Sequence, residues 1–291
     1  MLRVAVAFGL TFLTASPLLA DEPFRFDDGD RVVLLGGTLV EREQKYGRWE
    51  EALVVHNAPR NFTLRNLGWS GDTVYGESRA SFDAPAKGYE RLVTLTRSLN
   101  PTVVVIGYGA NESFDGDAGL ERFRKGLTKL LDDLAPTKAR FVLLSPLQFE
   151  PTAGAADPTV QNLSLAKYVR VLEETAAARG LGYRSLFDRV AASREKFTEN
   201  GLHLNDDGYR KLAPLLFATT VAPVDVPALR AKIVEKNQLF FHRWRPQNET
   251  YLFGFRKHEQ GKNGAEIPQF DPLVVKAEAE IAALVEAFPS K

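Results

Sequence analysis

The sequence predicts a three-layer α/β/α sandwich built around a parallel sheet of five strands. Three observations carry that expectation. Short apolar runs rich in β-branched residues alternate with longer segments of helical spacing. The clearest run, Thr102-Val103-Val104-Val105-Ile106, is apolar throughout, as a strand covered on both faces must be. Glycine or polar clusters follow several of these runs, where open parallel sheets gather functional groups.

The elements follow in order. Arg31 to Leu35 forms the first expected strand and stops at Gly36-Gly37; a helix is expected from Tyr46 to Val55. Phe62 to Asn66 is the second strand, ending near Gly68. Tyr89 to Leu99 places Leu92, Val93, Leu95 and Leu99 at helical spacing, and Asn100-Pro101 stops it. After the strand at 102–106 come a helix from Leu120 to Leu134 and a strand from Arg140 to Leu144, closed by Ser145-Pro146. A helix from Asn162 to Arg179, a fifth strand from Tyr183 to Phe187 and a closing helix from Asp207 to Ala218 complete the domain. Right-handed crossovers put the helices on both faces of the sheet.

Three regions are expected: a signal peptide at 1–20, the α/β domain at 25–222 and an extension at 223–291. Arg3, the apolar run Val4 to Leu13 and the sequence Ala15-Ser16-Pro17-Leu18-Leu19-Ala20 read as a secretory leader, with Asp21-Glu22 opening the mature chain. Such a run is short for a bilayer span, and no later segment is long and apolar enough, so an exported protein, periplasmic or secreted, is expected with no membrane span after cleavage. Pro223 and Pro227 mark the second boundary. Beyond it Phe240, Phe241, Trp244, Tyr251 and Phe253 lie among His242, Arg243 and Arg245, and Lys276 to Ala287 reads as an amphipathic helix.

Composition excludes several function classes. The chain has 37 basic and 37 acidic residues, a net charge of zero, which argues against a nucleic-acid partner. It has no cysteine, which removes disulfides, thiolate catalysis and cysteine zinc sites. The four histidines are scattered with no acidic cluster at ligand spacing, so no metal and no other cofactor is expected.

Four segments lie where the strands should end: Gly36-Gly37-Thr38-Leu39, Asn66-Leu67-Gly68-Trp69-Ser70-Gly71-Asp72-Thr73, Gly107-Tyr108-Gly109-Ala110-Asn111-Glu112, and Asn200-Gly201-Leu202-His203-Leu204-Asn205. In order and separation they resemble the sequence blocks of the SGNH/GDSL hydrolase family. The resemblance spans roughly residues 31 to 218. It implies a flavodoxin-like three-layer α/β/α sandwich with a parallel five-stranded sheet, and cleavage of ester bonds by a hydroxyl nucleophile. The implied roles are Thr38 as nucleophile and His203 as its base. Gly68 through its N–H, Asn111 through its side-chain amide and Thr38 through its own N–H would hold the oxyanion.

The chain departs from the family's pattern in three places. Thr38 stands where the family has Ser, and its methyl stiffens and crowds the nucleophile. Gly37 replaces the family's Asp. Asn200 replaces the Asp three residues before the histidine. Asn200 is expected to accept the imidazole N–H and fix its tautomer without stabilising the imidazolium; the equivalent change in serine proteases costs about four orders of magnitude in rate. Glu199 is the alternative support for His203. Thr38 could instead cap a helix, and Ser70 is a rival nucleophile.

Gly37, Glu41, Trp69, Ser70, Trp244 and Arg245 are the candidate substrate-binding residues. Against that, Glu41-Arg42-Glu43 also reads as a solvated charge run, and the aromatic-basic stretch from Phe240 to Tyr251 either anchors the tail or offers rings and guanidinium groups to sugars. The expected partner is a small-molecule or glycan ester, most plausibly an acetyl ester on carbohydrate. The competing reading is an SGNH-fold module that holds an acylated glycan or a partner without turnover.

Overall fold

The computed structural model describes residues 26–217, 223–246, 249–259 and 263–286. The expected signal peptide lies outside the described residues. Strands β1 (Arg31–Gly36), β2 (Thr63–Asn66), β3 (Val103–Gly107), β4 (Arg140–Leu144) and β5 (Gly182–Arg184) form one parallel sheet in the order β2-β1-β3-β4-β5. The register sets Val32 beside Val103 and Gly36 beside Gly107. The winding reverses between β1 and β3, so the loops leaving these strands diverge and open a crevice at their carboxyl ends.

The helices are α1 (Thr38–Tyr46), α2 (Arg48–Asn57), α3 (Pro85–Ser98), α4 (Gly116–Leu134), α5 (Thr159–Arg179), α6 (Leu186–Ala191), α7 (Asp206–Leu212), α8 (Pro227–Trp244), α9 (Glu249–Leu252) and α10 (Phe270–Glu286). Side chains alternate across β1 and divide the core in two. Val33 and Leu35 pack with Leu92, Leu127, Tyr168 and Leu172 from α3, α4 and α5. Val32 and Leu34 pack with Trp49, Leu53, Leu186, Tyr209 and Leu212 from α2, α6 and α7.

Several boundaries differ from the sequence expectation. The helix expected from Tyr46 to Val55 is a pair of helices, broken where Gly47 takes φ +65° and returns its N–H to Glu43 O at 2.7 Å. Its first member starts at Thr38 and is mostly polar from Glu41 to Lys45, so apolar periodicity gave no signal there. The fifth strand ends at Arg184; Ser185 then caps α6 by accepting the Asp188 N–H at 3.1 Å, which turns Leu186 and Phe187 into helix. Helix α3 begins at Pro85, a residue suited to the first helical position. The closing helix becomes α7 followed by a 3₁₀ turn at Ala213–Phe217, and Ala218 lies outside the described residues. The aromatic-basic stretch opens as the last turns of the unanticipated helix α8.

The extension lies on the body. Phe240 of α8 and Val274 of α10 join the core on the Val33 side of the sheet. Strand β2 is an edge of the sheet, and α8 packs against it; covering an edge in this way prevents further strand pairing. Fully buried Lys236 donates to Leu64 O of β2 at 3.0 Å and pairs with the buried Glu50 carboxylate at 2.7 Å. Burial pushes Lys236 down and Glu50 up from their ordinary ranges, against their mutual attraction. Arg65 of β2 adds a two-pronged pair with Glu278 of α10. Removing one member of a buried pair strands the other charge. Lys236→Ala should therefore lower unfolding free energy by about 3 kcal/mol, measured by urea denaturation, whereas Lys236→Met with Glu50→Gln should recover most of that loss.

Candidate active site

Thr38 is the first residue of α1 and sits directly on the carboxyl end of β1. The cap position is Gly37, with no side-chain capping bond, so the Thr38 hydroxyl is not engaged as a cap. The first two N–H groups of α1, those of Thr38 and Leu39, have no intrahelical acceptor and give this end partial positive charge. The Thr38 N–H is one of them.

The loop after β2 folds back over α1. At Gly68 a Cβ would lie 2.2 Å from Glu41 N, so only glycine permits the approach. Asn66 fixes the loop: its Nδ2 donates to Val40 O at 2.6 Å and its Oδ1 accepts the Gly68 N–H at 2.8 Å. That N–H is therefore occupied and does not serve as the expected oxyanion donor. The loop N–H that reaches Thr38 belongs to Gly71, 3.3 Å from Thr38 Oγ1, with φ +75°. Both glycines stand in the same motif, and spacing alone did not separate the one whose N–H Asn66 holds from the one whose N–H faces Thr38.

Asp72 joins this loop to the next. Its Oδ2 accepts from Arg79 Nε at 2.6 Å and Tyr108 OH at 3.0 Å, and its backbone carbonyl accepts from Asn111 Nδ2 at 2.9 Å. That leaves the second Nδ2 hydrogen of Asn111 for an incoming oxygen. Buried Glu112 ties the same two loops by accepting the N–H groups of Val74 and Gly109, each at 2.9 Å; burial pushes its carboxyl up to about 7.

His203 lies on the loop before α7. Tyr209 of α7 donates to Leu39 O at 2.7 Å, next to Thr38. Buried Arg48 of α2 grips Asp206 at 2.6 and 2.9 Å. The histidine loop is thus fastened to the two helices that follow β1.

Thr38, Asn111 and His203 line one cavity of about 150 Å³, with Gly37, Gly109, Pro146, Leu147, Phe149 and Leu202 around them. Among the described residues no direct hydrogen bond joins Thr38 to His203. Burial first, and then the Arg42 guanidinium, hold the imidazole below its ordinary range; Glu199 opposes them. Both favour the neutral form of the ring.

Asn200 is oriented opposite to expectation. Its Oδ1 already accepts the N–H groups of Leu202 at 3.1 Å and His203 at 2.9 Å. A reversed amide would set NH₂ against two N–H donors, so the assignment is fixed by its surroundings. Nδ2 then faces His203 Nδ1 at 3.1 Å and can only donate to it. The neutral ring carries its proton on Nε2, whereas a base acting through Nε2 needs that nitrogen bare. Glu199 does not correct this: its carboxylate pairs with Arg42 at 2.7 Å, and only its backbone N–H meets His203, at the carbonyl oxygen, 2.9 Å away.

The other candidate binding residues gather elsewhere. Glu41 faces away from the cavity, accepting from Arg245 Nη1 at 2.8 Å and from the Ser70 N–H. The Arg245 guanidinium lies 3.5 Å over the Trp69 ring, and Trp244 meets that ring edge-on at 5.8 Å. Glu41, Trp69, Trp244 and Arg245 line a separate groove of about 790 Å³ between the extension and α3. Ser70 is exposed at the loop tip and lines neither. Of the binding candidates only Gly37 borders the Thr38 cavity.

The model of the GDSL-like lipase/acylhydrolase family matches residues 16–211. The chain is a member of that family. As such it is an ester-cleaving hydrolase of the SGNH/GDSL type. A search of curated proteins returns no match. Among solved structures this acylhydrolase is similar to an acetyl xylan esterase at 19% identity, over 66% of its own chain and 100% of the other, with a TM-score of 0.52. It is also similar to a catalytic mutant of an acetylxylan esterase from Geobacillus stearothermophilus, at 15% identity over 66% and 94% of the two chains, TM-score 0.52. A gut microbial diltiazem-metabolizing enzyme aligns at 18% identity and TM-score 0.52, over 67% of the acylhydrolase; the matched part is 48% of that longer chain. At these identities the likeness is one of fold.

Two outcomes follow for the histidine. Asn200→Asp gives Nδ1 an acceptor and Nε2 the bare lone pair, so kcat should rise about a hundredfold on a short-chain p-nitrophenyl ester. A base works only when neutral: with His203 held below its ordinary 6.5, the acid limb of the wild-type rate should lie below 6.5. The new carboxylate favours the imidazolium, so the acid limb of the Asn200→Asp pH profile should move to higher pH. An unchanged kcat with an unchanged limb contradicts the tautomer assignment.

Proposed function

We propose that this chain is an exported esterase that removes short acyl groups, acetyl foremost, from carbohydrate, with Thr38 as nucleophile and His203 as general base. The observation that carries the reading is the meeting of Thr38, Asn111 and His203 on one small cavity, with the Gly71 N–H beside the hydroxyl.

In this reading the ring first gives its Nε2 proton to water and takes one from water at Nδ1, releasing Asn200; Thr38 Oγ1 then attacks the acyl carbon while its proton passes to the bare His203 Nε2. The N–H groups of Thr38 and Gly71 and the free Nδ2 hydrogen of Asn111 receive the developing oxyanion. The imidazolium returns the proton to the departing alkoxide oxygen, leaving an acyl-threonine and a free alcohol. Water then repeats the steps against the acyl-threonine, restoring the hydroxyl and releasing the acid.

Size supports a short acyl group. At roughly 30 Å³ per water, the cavity of about 150 Å³ takes about five water-sized groups. Its Pro146, Leu147 and Phe149 wall suits a methyl rather than a charged end. The carbohydrate side rests on the names of two structural neighbours, both acetylxylan esterases. Export rests on the N-terminal leader pattern.

Wild type should hydrolyse p-nitrophenyl acetate and acetylated xylan, with about tenfold lower kcat/KM on the octanoate. Thr38→Ala and His203→Ala should each lose about a thousandfold in kcat. Equal hydrolysis by all three proteins defeats the assignment. The Asn200 orientation also favours a second reading, a module that holds an acylated glycan without turnover. It predicts that Thr38→Ser with Asn200→Asp creates no hydrolysis while acetylated xylan still binds.

A further inference from the structure

The turn that offers the Gly71 N–H is exposed and short. It runs from Trp69 to Asp72, is closed by Asp72 N–H to Trp69 O at 3.0 Å, and holds Gly71 third at φ +75°, as a type II turn requires. In such a turn the third N–H points where the first two residues hold the loop, so a shift of Trp69 or of the Trp69–Ser70 peptide turns it away. Ser70 and Gly71 are both exposed, so no packing around the tip prevents the shift.

One side chain from α1 and one residue after α8 brace it. Glu41, three residues beyond Thr38, accepts the Ser70 N–H with Oε2. The other oxygen of that carboxylate holds Arg245 at 2.8 Å. Arg245 in turn covers the Trp69 ring at 3.5 Å, and Trp244 closes the ring's edge. A planar guanidinium meets both demands, a carboxylate at its edge and a ring on its face, which an ammonium cannot do equally well. We infer that Arg245 is a positioning residue: through Glu41 and Trp69 it braces the Trp69–Asp72 turn so that Gly71 N–H stays aimed at the oxygen on Thr38.

The brace comes from the extension, beyond the 16–211 covered by the family match. It gives the extension a part in the chemistry without contact with the substrate, and it accounts for the failure of Glu41, Trp69 and Arg245 to line the Thr38 cavity. The kinetic part of the inference rests on the proposed esterase reading; the structural part does not.

Hydrogen exchange on the full chain tests it directly. In Arg245→Ala, Ser70 and Gly71 amides should exchange about tenfold faster, while β3 amides keep wild-type protection. Arg245→Lys, which retains the charge toward Glu41, should recover part of that protection. On p-nitrophenyl acetate, Arg245→Ala should lose about tenfold in kcat with KM little changed, the pattern of an interaction made only in the transition state. Unchanged exchange at 70 and 71 overturns the inference, as does an equal acceleration in β3, which would mark Arg245 as ordinary stabilising packing. A wild type that hydrolyses no ester defeats the esterase reading alone, and the exchange result still decides this one.

Discussion

Asp72 sits almost wholly buried between the loops that follow β2 and β3, with a guanidinium and a phenol on one carboxylate oxygen. Burying a carboxylate is expensive unless it is paired and hydrogen-bonded, so this cluster leaves little freedom for either loop. Asp72 follows Gly71 directly, and its backbone carbonyl holds Asn111. The two donors proposed to receive the oxyanion from outside α1, Gly71 N–H and Asn111 Nδ2, therefore take their placement from one residue. Arg79, which also donates to Leu67 O, carries the constraint back to the end of β2.

The proposed nucleophile and the proposed base are placed by different means. Thr38 needs only the strand-to-helix junction. The His203 loop arrives from the far end of the domain and is fastened by Tyr209 to Leu39 and by Arg48 to Asp206. The helix N-terminus at Thr38 favours a developing anion, and burial and the Arg42 guanidinium favour the neutral imidazole that can take a proton. In the proposed mechanism a single hydrogen opposes turnover: Asn200 donates to His203 Nδ1, where the Asp of the family's pattern would accept.

Much of this was legible in the sequence. The five strands, their parallel arrangement and three strand-end motifs could be read because fully buried strands are continuous apolar runs and function collects where they end; the fourth motif lies not at a strand end but beyond α6, on the loop before α7. Thr38, Asn111 and His203, from three of those motifs, do share a cavity. Three things were not legible. Helix α1 was hidden because its sequence from Glu41 to Lys45 is polar. The choice between Gly68 and Gly71 depends on which N–H Asn66 has already taken. The direction of the Asn200 amide depends on two backbone N–H groups of its own loop, a geometry no residue pattern records. Glu41, Trp69 and Arg245 carried the right residue types for a sugar site, but the structure commits them to one another.

The central claim is that the Thr38 hydroxyl is the attacking group. Acid-quenching the wild-type protein during turnover of p-nitrophenyl acetate and mapping the acyl group by peptide mass spectrometry tests it most directly. The acetyl group should be found on Thr38. An acetyl group on Ser70 instead, or steady ester consumption with Thr38 never modified, would contradict it.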